Sequence, residues 1–231
     1  MTTLTIIVPA YNETSTILEI LKNISKVNIS KQLIVIDDCS SDDSREKILS
    51  MKYMIDKIIL HDKNLGKGAA IKSAQKLIKG QYVIIQDADL EYDPNDYEKL
   101  IEPLKKKQTK VVYGSRVLGK KRYSSKNFSS LSRVFFIHCL TSLSNIINNQ
   151  NLTDAHTCYK VFDSDLFKDI ELKEHGFAFC PEVTTKISNL NIDIIEIPIS
   201  YKGRTYQEGK KISYKDGIEA IFALIKYKYF D

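Results

Sequence analysis

Tyr82-Val-Ile-Ile-Gln-Asp-Ala-Asp-Leu-Glu-Tyr-Asp-Pro94 is the stretch on which the fold turns. Tyr82 to Ile85 is a short, β-branched apolar run bounded by Gly80, the pattern of a strand buried on both faces. Asp87-Ala-Asp89 follows where that strand ends. Asp87, Asp89, Glu91, Asp93, Asp96 and Glu98 crowd six acids between Gly80 and Glu98 with no Lys or Arg among them. Two carboxylates about 4 Å apart repel by roughly 4 kcal/mol at an effective dielectric near 20, so a close pair calls for a cation. Hard oxygen ligands in an alternating Asp-x-Asp suit Mg²⁺ or Mn²⁺, ions that also hold substrate phosphates. The plainer reading is a solvated acidic loop that caps the next helix.

Working outward, the same strand-then-polar-loop pattern repeats. Leu4 to Val8 is a nearly continuous apolar run closed by Pro9-Ala-Tyr-Asn-Glu13, and a helical stripe follows at Ile17, Leu18, Leu21 and Ile24. Leu33 to Ile36 closes on Asp37 and Asp38 before a helix through Ile48 and Leu49. Ile58 to Leu60 precedes His61-Asp-Lys-Asn-Leu-Gly-Lys-Gly68, which opens a helix that Gly80 follows. Val111 to Tyr113 ends in Gly114-Ser-Arg116, and Ile194 to Ile199 is the last strand. Strands alternating with helices predict a mostly parallel sheet, α/β in class, with ligands outside the carboxyl ends of the strands. Gly66-Lys67-Gly68 lacks the spacing of a P-loop and reads as a turn into a helix.

At 231 residues, with no Pro/Gly/Ser-rich linker, residues 1–231 read as one domain burying roughly 70% of its unfolded surface. Four cysteines without CxxC spacing, and a first strand almost at Met1, point to a reducing cytoplasm. The four histidines lack zinc spacing. The net charge of +5 is unevenly spread: from Lys99 to Arg133 eleven Lys or Arg face the single Glu102. Such a region suits polyanionic substrates or an anionic membrane surface, while no basic module of a recognised nucleic-acid-binding type is present. Its alternative is a solvated basic face.

Leu131 to Ile147 is strongly apolar, with a stripe at Phe136, Cys139, Leu140, Leu143 and Ile147. As a helix it spans only about 25 Å of a roughly 30 Å hydrocarbon core, so it is expected to dock or to lie at an interface. Tyr201 to Ile212 carries two glycines and four basic residues and predicts a cationic loop. Ser213 and Asp216 suit a capping box for a last helix whose stripe, Ile218, Ile221, Phe222, Ile225 and Tyr229, is expected to pack in the core. The tail Lys226 to Phe230 mixes aromatics and cations as membrane-interface segments do.

Taken jointly, Ile7-Val-Pro-Ala-Tyr-Asn-Glu13, Val35-Ile-Asp-Asp38, Asn64-Leu-Gly-Lys-Gly68, Asp87-Ala-Asp89 and Gly114-Ser-Arg116 resemble the family 2 glycosyltransferases of GT-A fold. Their order is similar to that of the polyprenyl-phosphate branch. The resemblance covers roughly residues 4 to 217 and implies a Rossmann-like central sheet flanked by helices, with a C-terminal helical and loop extension. It implies that Pro9, Ala10, Tyr11, Glu13, Asp37 and Asp38 hold the nucleoside of a nucleotide-sugar donor, joined by Lys67 and Ala88. Asp87, Asp89 and Glu91 would carry Mg²⁺ or Mn²⁺ on the diphosphate, and Arg116 would reach it. Arg204, Lys210 and Lys211 would close over donor and acceptor phosphates. Glu91 stands where many relatives have Gln, and Thr157-Cys-Tyr-Lys160 where Ser-Gly-Phe-Arg is usual.

The implied reaction is an inverting single displacement at the sugar's anomeric carbon. A lipid-phosphate acceptor needs no strong base, whereas a hydroxyl acceptor does, with Asp154 and Glu182 as candidates. Both could equally be helix caps or salt-bridge partners. A GDP- or UDP-sugar donor, a polyprenyl phosphate acceptor and peripheral attachment to the cytoplasmic face of a membrane complete the expectation, with room for a membrane-protein partner. The alternatives are a family 2 enzyme acting on a glycan hydroxyl and a non-catalytic sugar-nucleotide-binding subunit.

Overall fold

The computed structural model describes residues 2–119, 131–204 and 214–231. Lys210, Lys211, Ser213 and much of the basic run before Arg133 lie outside them. Eight α-helices, two short 3-10 helices and seven strands appear among the described residues. The strands β1 (Leu4–Ala10), β2 (Lys31–Asp37), β3 (Lys57–Leu60), β4 (Tyr82–Ile85), β5 (Val111–Ser115), β6 (Lys160–Asp163) and β7 (Ile194–Pro198) form one sheet in the order β3-β2-β1-β4-β6-β5-β7. Every pairing is parallel except those of β6 with β4 and β5. β1, β2, β4 and β5 are buried on both faces, which is why their sequences run apolar without alternation. Helices α1 (Ile17–Lys26), α2 (Ser44–Ser50), α3 (Lys67–Gln75), α4 (Tyr97–Lys105), α5 (Leu131–Asn148), α6 (Ser164–Asp169), α7 (Phe179–Asn189) and α8 (Tyr214–Tyr229) complete the chain.

The antiparallel β6 positions the site. Its register pairs Lys160 with Tyr113 and Val161 with Ile84, so the chain enters β6 at the carboxyl edge of β4 and β5. Residues 153–159 are thereby delivered to the edge where Asp87 and Arg116 also emerge. No strand was expected here, because the run Tyr159-Lys-Val-Phe162 is short and holds a lysine. That lysine is fully buried, with its Nζ donating to Ala155 O at 2.7 Å and lying 3.7 Å from the centre of the Tyr113 ring.

Two helical expectations change. On α5 only Leu140 of the expected stripe is buried; the inward face is Val134, Leu140, Thr141, Ser144 and Asn148. On α8 the stripe expected in the core lies largely outside, and Ala220, Ala223, Leu224 and Tyr227 face in. No helix among the described residues is long and apolar enough to cross a membrane.

The join between α3 and β4 rests on Gly80, whose N–H donates to Thr5 Oγ1 at 2.9 Å. A Cβ there would meet Thr5 N at 2.6 Å and Leu4 C at 2.8 Å, both backbone atoms of the central strand. Gly80→Ala is therefore expected to lower unfolding free energy by about 1–3 kcal/mol in urea titrations, as overpacking against backbone does. An unchanged midpoint would show that β1 yields there without cost.

Candidate active site

A cleft of about 370 Å³ opens at the carboxyl edge of the sheet. The end of β1 and the loop after it line it with Pro9, Ala10, Tyr11 and Glu13, the residue after β2 with Asp38, and the start of α3 with Gly66 and Lys67. Asp87, Ala88, Asp89 and Glu91 follow β4, and Arg116 and Arg204 close the other side. Twelve of the residues singled out from sequence thus meet in one place. Asp37, Asp154 and Glu182 do not line it.

Each acid at this edge has its cation or its N–H donors. Asp37 is fully buried and accepts from Arg45 Nε at 2.7 Å, so it braces α2 against the sheet instead of facing a nucleoside. Asp38 accepts Leu65 N on Oδ1 at 2.9 Å and Gly66 N on Oδ2 at 2.7 Å, with His61 Nδ1 2.7 Å from Oδ1. It pins the turn that opens α3. Gly66, at φ +91°, and Gly68 are required because the backbone of Glu174–Gly176 crosses that turn: a Cβ on Gly66 would lie 2.6 Å from His175 O, and one on Gly68 would collide with Glu174 O. Ala69 N donates to the same His175 O at 3.0 Å.

That turn presents Lys67 to Asp87, Nζ to Oδ1 at 2.5 Å. Burial alone would push the Asp87 carboxyl up, but the Lys67 ammonium outweighs it and holds the group below the ordinary carboxylate range. Asp89 has a longer contact, with Arg204, which it shares with Glu13. Burial, then the charges of Asp87 and Glu91, push it up to about 7 against the opposing pull of Arg204. Arg204 reaches across the cleft with Nη2 3.2 Å from Asp89 Oδ2, and clamps Glu13 at 2.9 and 3.2 Å. Glu91, expected as a third metal ligand, instead ties down this segment, accepting Arg204 N at 2.7 Å and Tyr201 Oη at 2.8 Å. No group of three Asp, Glu, His or Cys among the described residues is arranged to hold a metal ion. Asp87 and Asp89 nonetheless fit one: they are half-buried hard oxygen donors lining the cleft, and Asp89 carries the neighbouring charges of Asp87 and Glu91 against the single, shared Arg204.

Asp154 and Glu182 are corrected as candidate bases. Asp154 is buried in a two-pronged pair with Arg116, Nε to Oδ2 and Nη2 to Oδ1 both at 2.7 Å, and also accepts Arg116 N at 3.1 Å. Burial would raise its carboxyl, yet Arg116 keeps it below the ordinary range, which suits an anchor and not a proton acceptor. Glu182 is fully buried and accepts Lys173 N at 2.6 Å, Glu174 N at 2.9 Å and Lys186 Nζ at 3.0 Å. It holds the very segment that crosses the start of α3. The carboxylates lining the cleft among the described residues are Glu13, Asp38, Asp87, Asp89 and Glu91, all on the β1–β2–β4 side.

The loop into β6 adds two lining residues that sequence reasoning missed, His156 and Cys158. Burial, and next the Lys160 ammonium, push His156 down to about 4, so its imidazole is neutral near pH 7. Burial likewise pushes Lys160 down to about 8. A reading of Tyr159–Phe162 as a strand entering from the opposite direction would have found them.

Residues 5–171 match the family model described as glycosyl transferase family 2, and the chain belongs to that family. It is 28% identical to an uncharacterized protein of Methanocaldococcus jannaschii, over 97% of this chain and 92% of that one. It is also 28% identical to a dolichyl-phosphate beta-glucosyltransferase of Trichomonas vaginalis, over 98% and 73%. A dolichol-phosphate mannosyltransferase of Pyrococcus furiosus is 25% identical, over 96% and 64%. Among solved structures, glucosyl-3-phosphoglycerate synthase of Mycobacterium tuberculosis with Mn²⁺, uridine diphosphate and phosphoglyceric acid superposes at TM-score 0.74, covering 100% of this chain and 80% of that one at 17% identity. This likeness establishes the GT-A fold. The chain is a glycosyltransferase.

The Arg116–Asp154 pair gives a test of the site's framework. Asp154→Asn leaves a buried guanidinium without its counter-charge and is expected to cost about 3–5 kcal/mol. Because the folded Asp154 carboxyl sits below its unfolded value near 4, the pair's stabilisation is complete above that pH and fades as pH falls through the folded value. Urea titrations of both proteins should thus show a constant gap from pH 5 to 8 that narrows in stronger acid. A gap that varies between pH 5 and 8 would assign the effect to another group.

Proposed function

We propose that this family 2 glycosyltransferase, acting as one GT-A domain, moves a hexose from a GDP- or UDP-linked donor to a polyprenyl phosphate, inverting the anomeric carbon. One observation carries the choice of acceptor. The two carboxylates that the sequence offered as bases for a hydroxyl, Asp154 and Glu182, stand outside the cleft and are consumed in holding Arg116 and the 173–174 segment, while the carboxylates that line it all lie on the β1–β2–β4 side, so the opposite wall offers Arg116 and Arg204. An anionic acceptor needs that charge and needs no base, since a phosphate is already ionised near neutral pH. The names of the relatives from Trichomonas vaginalis and Pyrococcus furiosus support the same acceptor class.

On this reading Pro9, Ala10, Tyr11, Glu13 and Asp38 border the nucleoside, with Asp37 supporting its pocket from behind. Asp87 and Asp89 would hold Mg²⁺ or Mn²⁺, which when bound supplies charge stabilisation to the leaving diphosphate. Mn²⁺ and Mg²⁺ accompany uridine diphosphate in solved structures of this fold, which supports that choice. Lys67 keeps Asp87 ionised and oriented. Arg204 exchanges its contacts with Glu13 and Asp89 for the arriving phosphates, and Arg116, fixed by Asp154, faces the bond that breaks. Lys210 and Lys211, outside the described residues, would add positive charge towards the phosphates, as the family resemblance implies. The acceptor oxygen bonds to the anomeric carbon as the bond to the diphosphate oxygen breaks and its electron pair leaves with the nucleoside diphosphate. A lipid acceptor places the working enzyme on a membrane, as a peripheral protein at the cytoplasmic face, alone or with a membrane-protein partner.

The acceptor assignment is checked with one nucleotide-sugar donor and two acceptors, a short-chain polyprenyl phosphate and the matching free alcohol. The phosphate should be glycosylated at a kcat/KM at least about 100-fold above the alcohol, the scale of a missing general base. Transfer to the alcohol, or to a sugar hydroxyl, in preference to the phosphate would replace the lipid-phosphate reading with the hydroxyl one.

A further inference from the structure

α8 has two apolar faces. At 3.6 residues per turn Gly217, Ala220, Ala223, Leu224 and Tyr227 fall within an arc of about 120°. These are buried where the helix packs on α7 and α5. The helix is secured there by Asn189 Nδ2 donating to Tyr227 O at 2.9 Å, and by the Phe136 ring seated against Gly217. On the opposite side Ile218, Ile221, Phe222, Ile225 and Tyr229 fall within an arc of about 100°. Ile218, Phe222, Ile225 and Tyr229 are 56%, 69%, 41% and 67% exposed, and Phe230 beyond them 81%. A helix already docked by one apolar face has no packing reason to carry large apolar side chains on the other.

Charge says what covers that stripe. Lys215 and Lys226 flank it on one shoulder and Lys228 on the other, with Glu219 beside Lys226. Lys215 and Lys226 are exposed, Lys226 reaching Glu174 at 2.9 Å, and Lys228 Nζ lies 3.1 Å from Asn189 Oδ1. Large apolar side chains bordered by lysines and ended by Tyr229 and Phe230 form the pattern of a helix lying in a lipid headgroup layer, its lysine stems extended towards phosphates. The start of the helix is tied to a neighbour of the cleft. Phe136 sits on the first turn of α8, its neighbour Ile137 lines the cleft, and Phe135 beside it is 59% exposed.

We infer that the outer face of α8, with Phe135 of α5, is the surface by which this chain lies on an anionic lipid bilayer. Ile218, Phe222, Ile225 and Tyr229 enter the acyl boundary, and Lys215, Lys226 and Lys228 stay at the headgroups. The role this gives the helix, bringing the cleft to a membrane-borne acceptor phosphate, rests on the function proposed above; the binding itself does not.

The test is co-sedimentation of the full chain with vesicles of phosphatidylcholine alone, or of phosphatidylcholine and phosphatidylglycerol in equal parts. The wild type should bind the anionic vesicles and release partly in high salt. The exposed double variant Phe222→Ser/Ile225→Ser should melt at an unchanged temperature and bind at least about tenfold more weakly. Equal binding by variant and wild type, or no binding by the wild type, overturns the inference. So does a wild-type dimer in light scattering that the same variant converts to monomer, since a second copy would then be the occupant. Transfer to a short-chain polyprenyl phosphate, assayed without vesicles, separates the two readings. Both proteins should retain it, and its absence from both would refute the acceptor and leave the vesicle result standing.

Discussion

Negative charge concentrated at one edge of a buried parallel sheet is the constraint on which the rest of this structure depends. Strands β1, β2 and β4 each end in carboxylates, and the low-dielectric core beneath them makes uncompensated charge costly. The compensating groups come from far along the chain. Arg45 reaches Asp37 from α2, Lys67 reaches Asp87 from α3, and Arg204, 115 positions after Asp89, spans Glu13 and Asp89. Buried ion pairs contribute little net stability relative to apolar packing. Their value here is positional: each fixes a loop that the hydrophobic core alone would leave unplaced.

The single reversed strand has the same logic. By running antiparallel between β4 and β5, β6 lets the preceding loop cross the carboxyl edge, where Asp154 anchors Arg116 and His156 and Cys158 join the cleft wall. Lys160 braces that loop through Ala155 O from inside the core. The donor side of the cleft is thus built by parallel strand ends, and the opposite side by one loop and the segment leading to Arg204.

Much of this was legible in the residues themselves. Apolar runs followed by acid-bearing polar loops located β1, β2 and β4, because parallel strands buried on both faces read as near-continuous hydrophobic runs, and their carboxyl ends located the cleft. The six-acid stretch was legible only as a group. Asp87 and Asp89 face the cleft, Glu91 holds the Arg204 segment, and Asp96 accepts Ser200 N at 2.6 Å. Asp93 caps the following turn by accepting Asn95 N at 3.0 Å, as the plainer reading had it. Asp93's fate is local, but nothing local distinguishes the others, since each depends on a distant partner or on the path of the backbone. Asp37 and Asp38 divide for the same reason: adjacent residues on an extended strand point to opposite faces, and only one can reach the cleft. On α8 the periodicity was right and the side was wrong. A stripe of Ile and Phe marks an apolar face, but the opposite arc is apolar too, and its Ala220, Ala223, Leu224 and Tyr227 took the interior, Tyr227 with its backbone O bonded to Asn189.

The acid pair at the end of β4 is the centre of this account, and calorimetry of nucleoside diphosphate binding tests it most directly. Uridine or guanosine diphosphate would be titrated into the wild type and an Asp89→Asn protein, each in Mn²⁺ and in a chelator. The account predicts at least about tenfold tighter binding in Mn²⁺ for the wild type and a lost metal dependence in the folded variant, because Asp89 would be the carboxylate left to exchange Arg204 for the metal–diphosphate. Equal affinity with and without metal in the wild type, or full metal dependence in Asp89→Asn, would contradict it.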